Sequence, residues 1–354
     1  MKKLKRNLNK LFEKGKKFIL NIRPWEKISI FYHKDLDGLT SAVFTNLLLD
    51  SIGVSTIKVI PLKPRDETFL FKEMKKCDKA IILDVPLNRL PSGKILYIDH
   101  HPMKDFNSKN IVYINPRLDF PEIYQPVCYL TYKLISEIIN IKKYEWLAVL
   151  GTIADYGYDD CRDLLGKWVK VKNKDDIWNT IFGKVAIKIN GSFYYLKENE
   201  ILKIVTSAKN IGGLNKNKKI YLAWKKYKKI YLTAKKEFYK NKEEVKKANL
   251  IISTISGNNK VYTGSSIATE LSRKYPDNIL IVIEKLRDFY RIHAREQSGK
   301  IHMGKLMKTC SKGIGMGGGH REAAASSIRL EKNKLDLFKK RLIENLTDFS
   351  TKIR

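Results

Sequence analysis

The stretch FYHKDLDGLTSA, residues 31–42, ends the apolar run ISIFY (28–32) and then places one imidazole and two carboxylates, His33, Asp35 and Asp37, within five positions. Acids crowded at the end of a buried strand repel one another and need a compensating positive charge. Lys34 is the only lysine in the motif, and one ammonium is too little. Gly38 permits a tight turn into a following helix. The same arrangement recurs downstream. Asp84 ends the run IILDV (81–85), Asp99, His100 and His101 follow LYI (96–98), and Asp155 stands in GTIADYG (151–157) at the end of an apolar helical stretch. Any one of these acids alone reads as a loop residue or a helix cap. As a set, four carboxylates with two or more imidazoles call for two divalent cations. Mixed oxygen and nitrogen donors point to manganese first, with magnesium or cobalt as substitutes.

The runs around these residues predict the first domain. ISIFY (28–32), TIKVIP (56–61), AIILDV (80–85), KILYID (94–99) and NIVYIN (110–115) read as strands, with helices near 40–52, 66–76, 126–140 and 143–156. Apolar strands buried on both faces and separated by helices indicate an α/β fold with a mostly parallel sheet. Ligands of such sheets gather at the carboxyl ends of the strands.

The lysine-rich segment 214–249 follows, with Ile220, Trp224, Tyr227, Tyr231, Ala234 and Phe238 repeating at helical spacing. It reads as a basic connecting helix whose aromatic stripe packs inward and whose lysines face water or, alternatively, track a nucleic acid. Beyond it, LIISTIS (250–256), NILIVI (278–283), DFYRIHAR (288–295) and ASSIRL (325–330) read as strands, with helices over 265–274 and 332–348. These form a smaller α/β domain. The expected division is a basic N-terminal helix (1–24), a catalytic domain (25–213), the connecting helix (214–249) and a substrate-binding domain (250–354).

Composition narrows the partners. The chain has 354 residues with 69 Lys+Arg against 37 Asp+Glu, a net charge of +32. Such an excess favours polyanions, above all nucleic acid, although a generally lysine-rich proteome would produce it too. No run is long and apolar enough to span a bilayer. The N-terminal residues alternate Leu4, Leu8, Leu11, Phe12, Phe18 and Ile19 with Lys and Arg, which favours a helix docked on its own domain over one bound to a partner or membrane. No signal peptide is expected there. Four scattered cysteines (Cys77, Cys128, Cys161, Cys310) suggest neither a disulfide framework nor a zinc ribbon, so a reducing cytoplasm is the simple reading.

Taken in order, HKDLDG, ILDV, DHH and GTIAD resemble the four motifs of the DHH phosphoesterase family, in the form seen in RecJ-like proteins of archaea. GGGHREAAA (317–325) resembles the signature of the DHH-associated domain. The resemblance covers about residues 25–330. It implies that His33 and Asp35 bind one metal, that Asp37, His100 and Asp155 bind the other, and that Asp84 bridges both. It further implies that His101 faces the substrate phosphate and that Asp99 supports the site. His33 departs from the family pattern: it stands two residues before the first aspartate, where manganese pyrophosphatases of the superfamily have it four before and bacterial RecJ has an aspartate instead.

The glycine-rich stretch 313–320 reads as a loop whose backbone amides line an anion, with Gly317, Gly318, Gly319 and His320 as substrate contacts. Arg291, His293 and Arg295 alternate on one strand face. That face is either solvated or, as the family pattern implies for Arg295, in contact with a phosphate. His302 reads as surface or structural.

The expected function is a metal-dependent hydrolase, a single-strand-specific exonuclease on DNA or RNA of the kind used in repair, in which a hydroxide shared by two metals attacks phosphorus and mononucleotides leave. The alternatives are a small-substrate phosphoesterase (nanoRNA, a cyclic dinucleotide or 3′-phosphoadenosine 5′-phosphate) and a non-catalytic scaffold in a replication or repair complex. Single-stranded nucleic acid is the expected partner, with replication or helicase proteins as further candidates.

Overall fold

ISIFY lies inside β1 (Lys27–His33), which is buried from Ile28 to Tyr32 and has a parallel strand on each side. In this computed structural model, which describes residues 2–63, 66–101 and 108–352, the chain divides into two units, Met1–Trp224 and Lys225–Arg354. The first carries a five-stranded sheet in the order β2-β1-β3-β4-β5, parallel throughout. Its other strands are β2 (Thr56–Leu62), β3 (Lys79–Leu83), β4 (Lys94–Ile98) and β5 (Ile111–Ile114).

From β1 the chain runs through α2 (Leu36–Ser51) to β2, then through α3 (Glu67–Met74) to β3 on the other side of β1. That reversal makes the gap between β1 and β3 a topological switch point, where the carboxyl ends of neighbouring strands open a crevice. His33 and Asp84 stand at those two ends.

Both faces of the sheet are covered. α1 (Lys2–Leu20) sends Phe12 and Ile19 into the same core as Ile30, Leu83 and Ile114. α2, α4 (Val127–Ser136) and α5 (Glu145–Ala154) pack together on that side. At Gly151 of α5 a Cβ would lie 2.4 Å from Thr40 Oγ1, so only glycine lets α5 approach α2 this closely. α6 (Arg162–Trp168), α7 (Ile181–Ser192), α8 (Glu198–Ser207) and α9 (Ile211–Asn215) follow.

The boundary between the units falls inside α10 (Lys218–Lys240). Of its apolar stripe, Ile220, Tyr227, Ala234 and Phe238 are buried and Trp224 and Tyr231 are half-buried. The helix is shorter than the lysine-rich segment. After it the chain forms β6 (Glu243–Val245), which pairs antiparallel with β7 (Leu250–Ser256) and satisfies an otherwise open sheet edge.

The second unit adds β8 (Ile279–Lys285), β9 (Phe289–Arg295), β10 (Gly315–Gly319) and β11 (Ala323–Arg329), and its six-stranded mixed sheet runs in the order β10-β11-β9-β8-β7-β6. β7 and β8 (Ile279–Lys285) are parallel, and the remaining pairs are antiparallel. α11 (Gly264–Lys274), with Ala234 and Phe238 of α10, covers one face. α12 (Met303–Cys310) and α13 (Lys332–Lys352) cover the other.

The glycine-rich stretch is not a loop. Gly315–Gly319 form β10, an edge strand paired with β11 (Ala323–Arg329). Glycine is needed there for packing: a Cβ on Gly317 would lie 2.4 Å from the Met307 carbonyl of α12.

Candidate metal centre

The motif HKDLDG turns β1 into α2. Asp35 caps the helix, its Oδ1 accepting from the Gly38 amide at 2.9 Å, while its Oδ2 lies 2.7 Å from His33 Nδ1. Gly38 is required for a different reason than turn geometry. It sits in the first turn of α2, where a Cβ would lie 2.3 Å from the His33 carbonyl. The bare α-carbon brings the helix start onto the strand end, and so brings Asp37 beside His33 and Asp35. Asp37 is buried, and both its oxygens accept amides at the start of α4, from Val127 at 2.8 Å and Cys128 at 2.7 Å. Pro126 precedes that helix and offers no side-chain cap, so Asp37 serves as the cap from a distant element.

Asp84 follows β3 with φ 61° and is only 2% exposed. Positive φ is uncommon outside glycine and clusters at functional sites. Its carboxylate lies 3.4 Å from His33 Nδ1 and 3.3 Å from His100 Nε2. His100 Nδ1 in turn lies 3.5 Å from Asp155 Oδ2, at the C-terminal end of α5. Three donor groups result, each with its ligand atoms within 4.8 Å of one another: His33, Asp35 and Asp84; Asp84, His100 and His101; Asp37, His100 and Asp155. Asp84 and His100 are shared. The six residues named from the sequence as metal ligands therefore meet in space, together with His101.

Burial, followed by the charges of Asp35 and Asp37, holds the Asp84 carboxyl well above its usual range, and Asp155 is raised by burial and the same two neighbours. Burial and the charge of Asp35 push Asp37 up to about 7. Burial and the neighbouring His101 push His100 down to about 3, so its imidazole stays neutral, the form a metal requires. Lys34 does not neutralise the cluster, because its ammonium pairs with Glu198. Among the described residues no lysine or arginine forms an ion pair with Asp35, Asp37, Asp84 or Asp155. Among the described residues the buried His100 Nδ1 has no hydrogen-bond partner. An orphaned imidazole nitrogen beside acids whose only cationic neighbour is the His33 imidazole fits a site for divalent cations.

Around the donors lies a layer of supporting groups. Asp99, wholly buried, lies 2.8 Å from His101 Nδ1. Burial pushes its carboxyl up, but His101 and His100 outweigh this and hold it below the ordinary range. Tyr97 donates to the Val85 carbonyl and, at 3.3 Å, to Asp99.

Tyr124 is a contributor the sequence motifs do not reveal. Its hydroxyl donates to Asp155 Oδ2 at 2.8 Å, and its ring centroid lies 5.0 Å from that of His100. Arg117 sits over the same ring at 5.7 Å and donates to the His100 carbonyl at 3.4 Å. Neither residue belongs to a motif, and their role follows only from the path of the chain between β5 and α4.

The remaining candidates lie in the second unit. Arg295, at the end of β9 (Phe289–Arg295), donates to Ser265 Oγ and Thr269 Oγ1 of α11, each at 3.1 Å. It pairs with Ala323, while Gly319 pairs with the adjacent Ala324, so Arg295, Gly317, Gly318, Gly319 and His320 share one end of the sheet. The face of alternating Arg291, His293 and Arg295 is not solvated. His293 is buried near Glu284 at 3.8 Å, and Arg291 stacks over Tyr262 at 4.6 Å. His302 accepts from the Lys305 amide at 3.3 Å, at the start of α12. Among the described residues no helix is long and apolar enough to cross a membrane.

Comparison with known proteins agrees with this architecture. The DHHA1 domain family matches residues 247–348. No curated protein matches in sequence. Among solved structures, RecJ from Thermus thermophilus in complex with Mn2+ superposes with a TM-score of 0.68 at 14% identity, over 96% of this chain and 55% of its own. The chain thus spans about half the length of that protein. An exonuclease RecJ bound to manganese gives 0.65 at 15% identity, over 95% of this chain and 94% of its own. A pGpG-specific phosphodiesterase from Vibrio cholerae gives 0.56 at 16% identity, over 91% and 99%. The chain carries the RecJ-like DHH fold, and its residues 247–348 are a DHHA1 domain.

Proposed function

We propose that the chain is a metal-dependent phosphodiesterase that acts as an exonuclease on single-stranded DNA or RNA and releases mononucleotides. The observation that carries this reading is the convergence of His33, Asp35, Asp37, Asp84, His100 and Asp155 into adjoining donor groups that share Asp84 and His100. His33 and Asp35 would hold one cation, Asp37, His100 and Asp155 the other, and Asp84 both. Two bound cations, manganese first with magnesium or cobalt as substitutes, would supply an acidified water and neutralise phosphate charge.

The protein's own groups do the rest. Asp99 fixes the His101 ring through Nδ1, and Nε2 would then meet a phosphate oxygen of the substrate. Tyr124 holds Asp155 in place and packs beside His100. Arg295, His320 and the backbone of Gly317–Gly319 would bind a phosphate or the terminal nucleotide. The basic excess supports a polyanionic substrate, and replication or helicase proteins are candidate partners.

A dinucleotide phosphodiesterase is the second reading, favoured by the fold shared with the pGpG-specific enzyme over nearly all of that enzyme's length. The test is hydrolysis of end-labelled single-stranded DNA and RNA with manganese, set beside a dinucleotide, with Asp84→Ala as control. Stepwise release of mononucleotides from the long substrate supports the exonuclease, and turnover of the dinucleotide alone supports the second reading. Undiminished activity in Asp84→Ala would overturn the assigned centre.

A further inference from the structure

Tyr156 occupies a position its side chain does not suit. α5 ends in two reverse hydrogen bonds, from the Gly157 amide to the Thr152 carbonyl at 2.9 Å and from the Tyr156 amide to the Ile153 carbonyl at 3.2 Å. This is the Schellman ending, whose left-handed residue is usually glycine and sometimes asparagine. Here that residue is Tyr156, with φ 61°. A bulky residue in this conformation is strained. The backbone does not require tyrosine, so the ring itself is the reason to look for.

Tyr156 as a whole is 46% exposed. Its ring lies 5.3 Å from Trp178 and 6.1 Å from Tyr158, centroid to centroid. The Trp178 backbone packs against the start of α7, where a Cβ on Gly183 would lie 2.5 Å from the Trp178 α-carbon. Tyr156 is also bonded directly to Asp155, whose carboxylate belongs to the donor cluster. Consecutive α-carbons lie about 3.8 Å apart, and a nucleobase stands one sugar away from its phosphate. The backbone of Tyr156 is therefore anchored one residue from a donor carboxylate.

We propose that Tyr156 and Trp178 form a stacking platform for the nucleobase adjoining the phosphate at the metal cluster. The proposal rests on the phosphodiesterase reading and specifies how that site takes its substrate. Stacking on aromatic rings binds any base, because every base has a π-face. The platform thus selects nucleotides over other phosphate esters without reading sequence.

The probe is a short single-stranded oligonucleotide with 2-aminopurine at its terminal position, compared with one that is abasic there. In the wild type, binding quenches the fluorophore, and the abasic oligonucleotide has a KM about tenfold or more higher. Tyr156→Gly and Trp178→Ala should abolish the quenching and bring the two KM values together, while Tyr156→Phe retains both effects. Tyr156→Gly suits the left-handed backbone, so its melting temperature should rise, which separates loss of the ring from loss of the fold. Quenching and base discrimination unchanged in both ring-deleting variants would overturn the platform alone. A wild type that neither binds nor cleaves any oligonucleotide would overturn the phosphodiesterase reading and the platform with it.

Discussion

Single side chains at the centre carry two duties each. Asp35 caps α2 and faces His33, and Asp37 caps α4 and joins the donor group. Tyr124 adds the hydroxyl that orients Asp155. Groups that orient a metal ligand typically change affinity by about 10- to 100-fold. Tyr124→Phe should therefore weaken manganese binding within that range by titration calorimetry while the melting temperature of the chelated protein stays near the wild-type value. The acids also give the metal-free protein a definite pH response. Asp37 (about 7), Asp84, Asp155 and His33 all titrate above their ordinary values in the folded state. A group with a raised folded-state pKa contributes stability that is lost as pH rises through that pKa. His100, depressed to about 3, opposes this only below its ordinary value of 6.5. Above pH 6.5, thermal melts in chelator should therefore show stability falling as pH increases, and saturating manganese should flatten the curve.

Elements hold these side chains through close approaches rather than through the strength of any one bond. The start of α2 rests on the end of β1 because Gly38 lacks a Cβ, whose nearest neighbour would be a backbone carbonyl 2.3 Å away. Gly38→Ala should cost about 1–3 kcal/mol, the usual range for forced overpacking. It should also reduce activity more than stability, because it moves Asp35 and Asp37 together; a denaturant midpoint and a rate measured on the same sample check both. At this scale the strands and helices were largely legible, because apolar runs and helical spacing report burial directly. The helices α6 to α9 and α12, and the strands β10 and β6, were not. β10 is composed of glycines, which carry no hydrophobic pattern, and β6 is the short edge Glu243–Val245, recruited by β7 after a lysine-rich helix. Both strands owe their form to a partner distant in sequence.

Across the whole molecule, charge has the widest reach. With 69 basic and 37 acidic residues, binding of a single strand should release counterions. The logarithm of the association constant should fall linearly with the logarithm of salt concentration, by about 0.7 for each phosphate neutralised. Fluorescence anisotropy of a labelled single strand over a salt series measures this slope, and a flat response would mean that the lysines do not face the substrate. Each unit has its own buried core, so Arg295→Ala should leave manganese affinity near the wild-type value by titration calorimetry, while the proposed phosphate contact predicts a higher KM.

The order and chemistry of the ligand-bearing motifs were written in the chain, because each acid or histidine stands where an apolar element stops, and burial forces that periodicity on the residues. The parallel α/β plan follows from the same periodicity. Other features depended on three-dimensional packing. The sharing of Asp84 and His100, the diversion of Lys34 to Glu198, the buttress of Tyr124 and Arg117, and the pairing of Tyr156 with Trp178 all join residues far apart in sequence or outside any motif. Local pattern records which face of an element is buried, but not which distant side chain that face will meet.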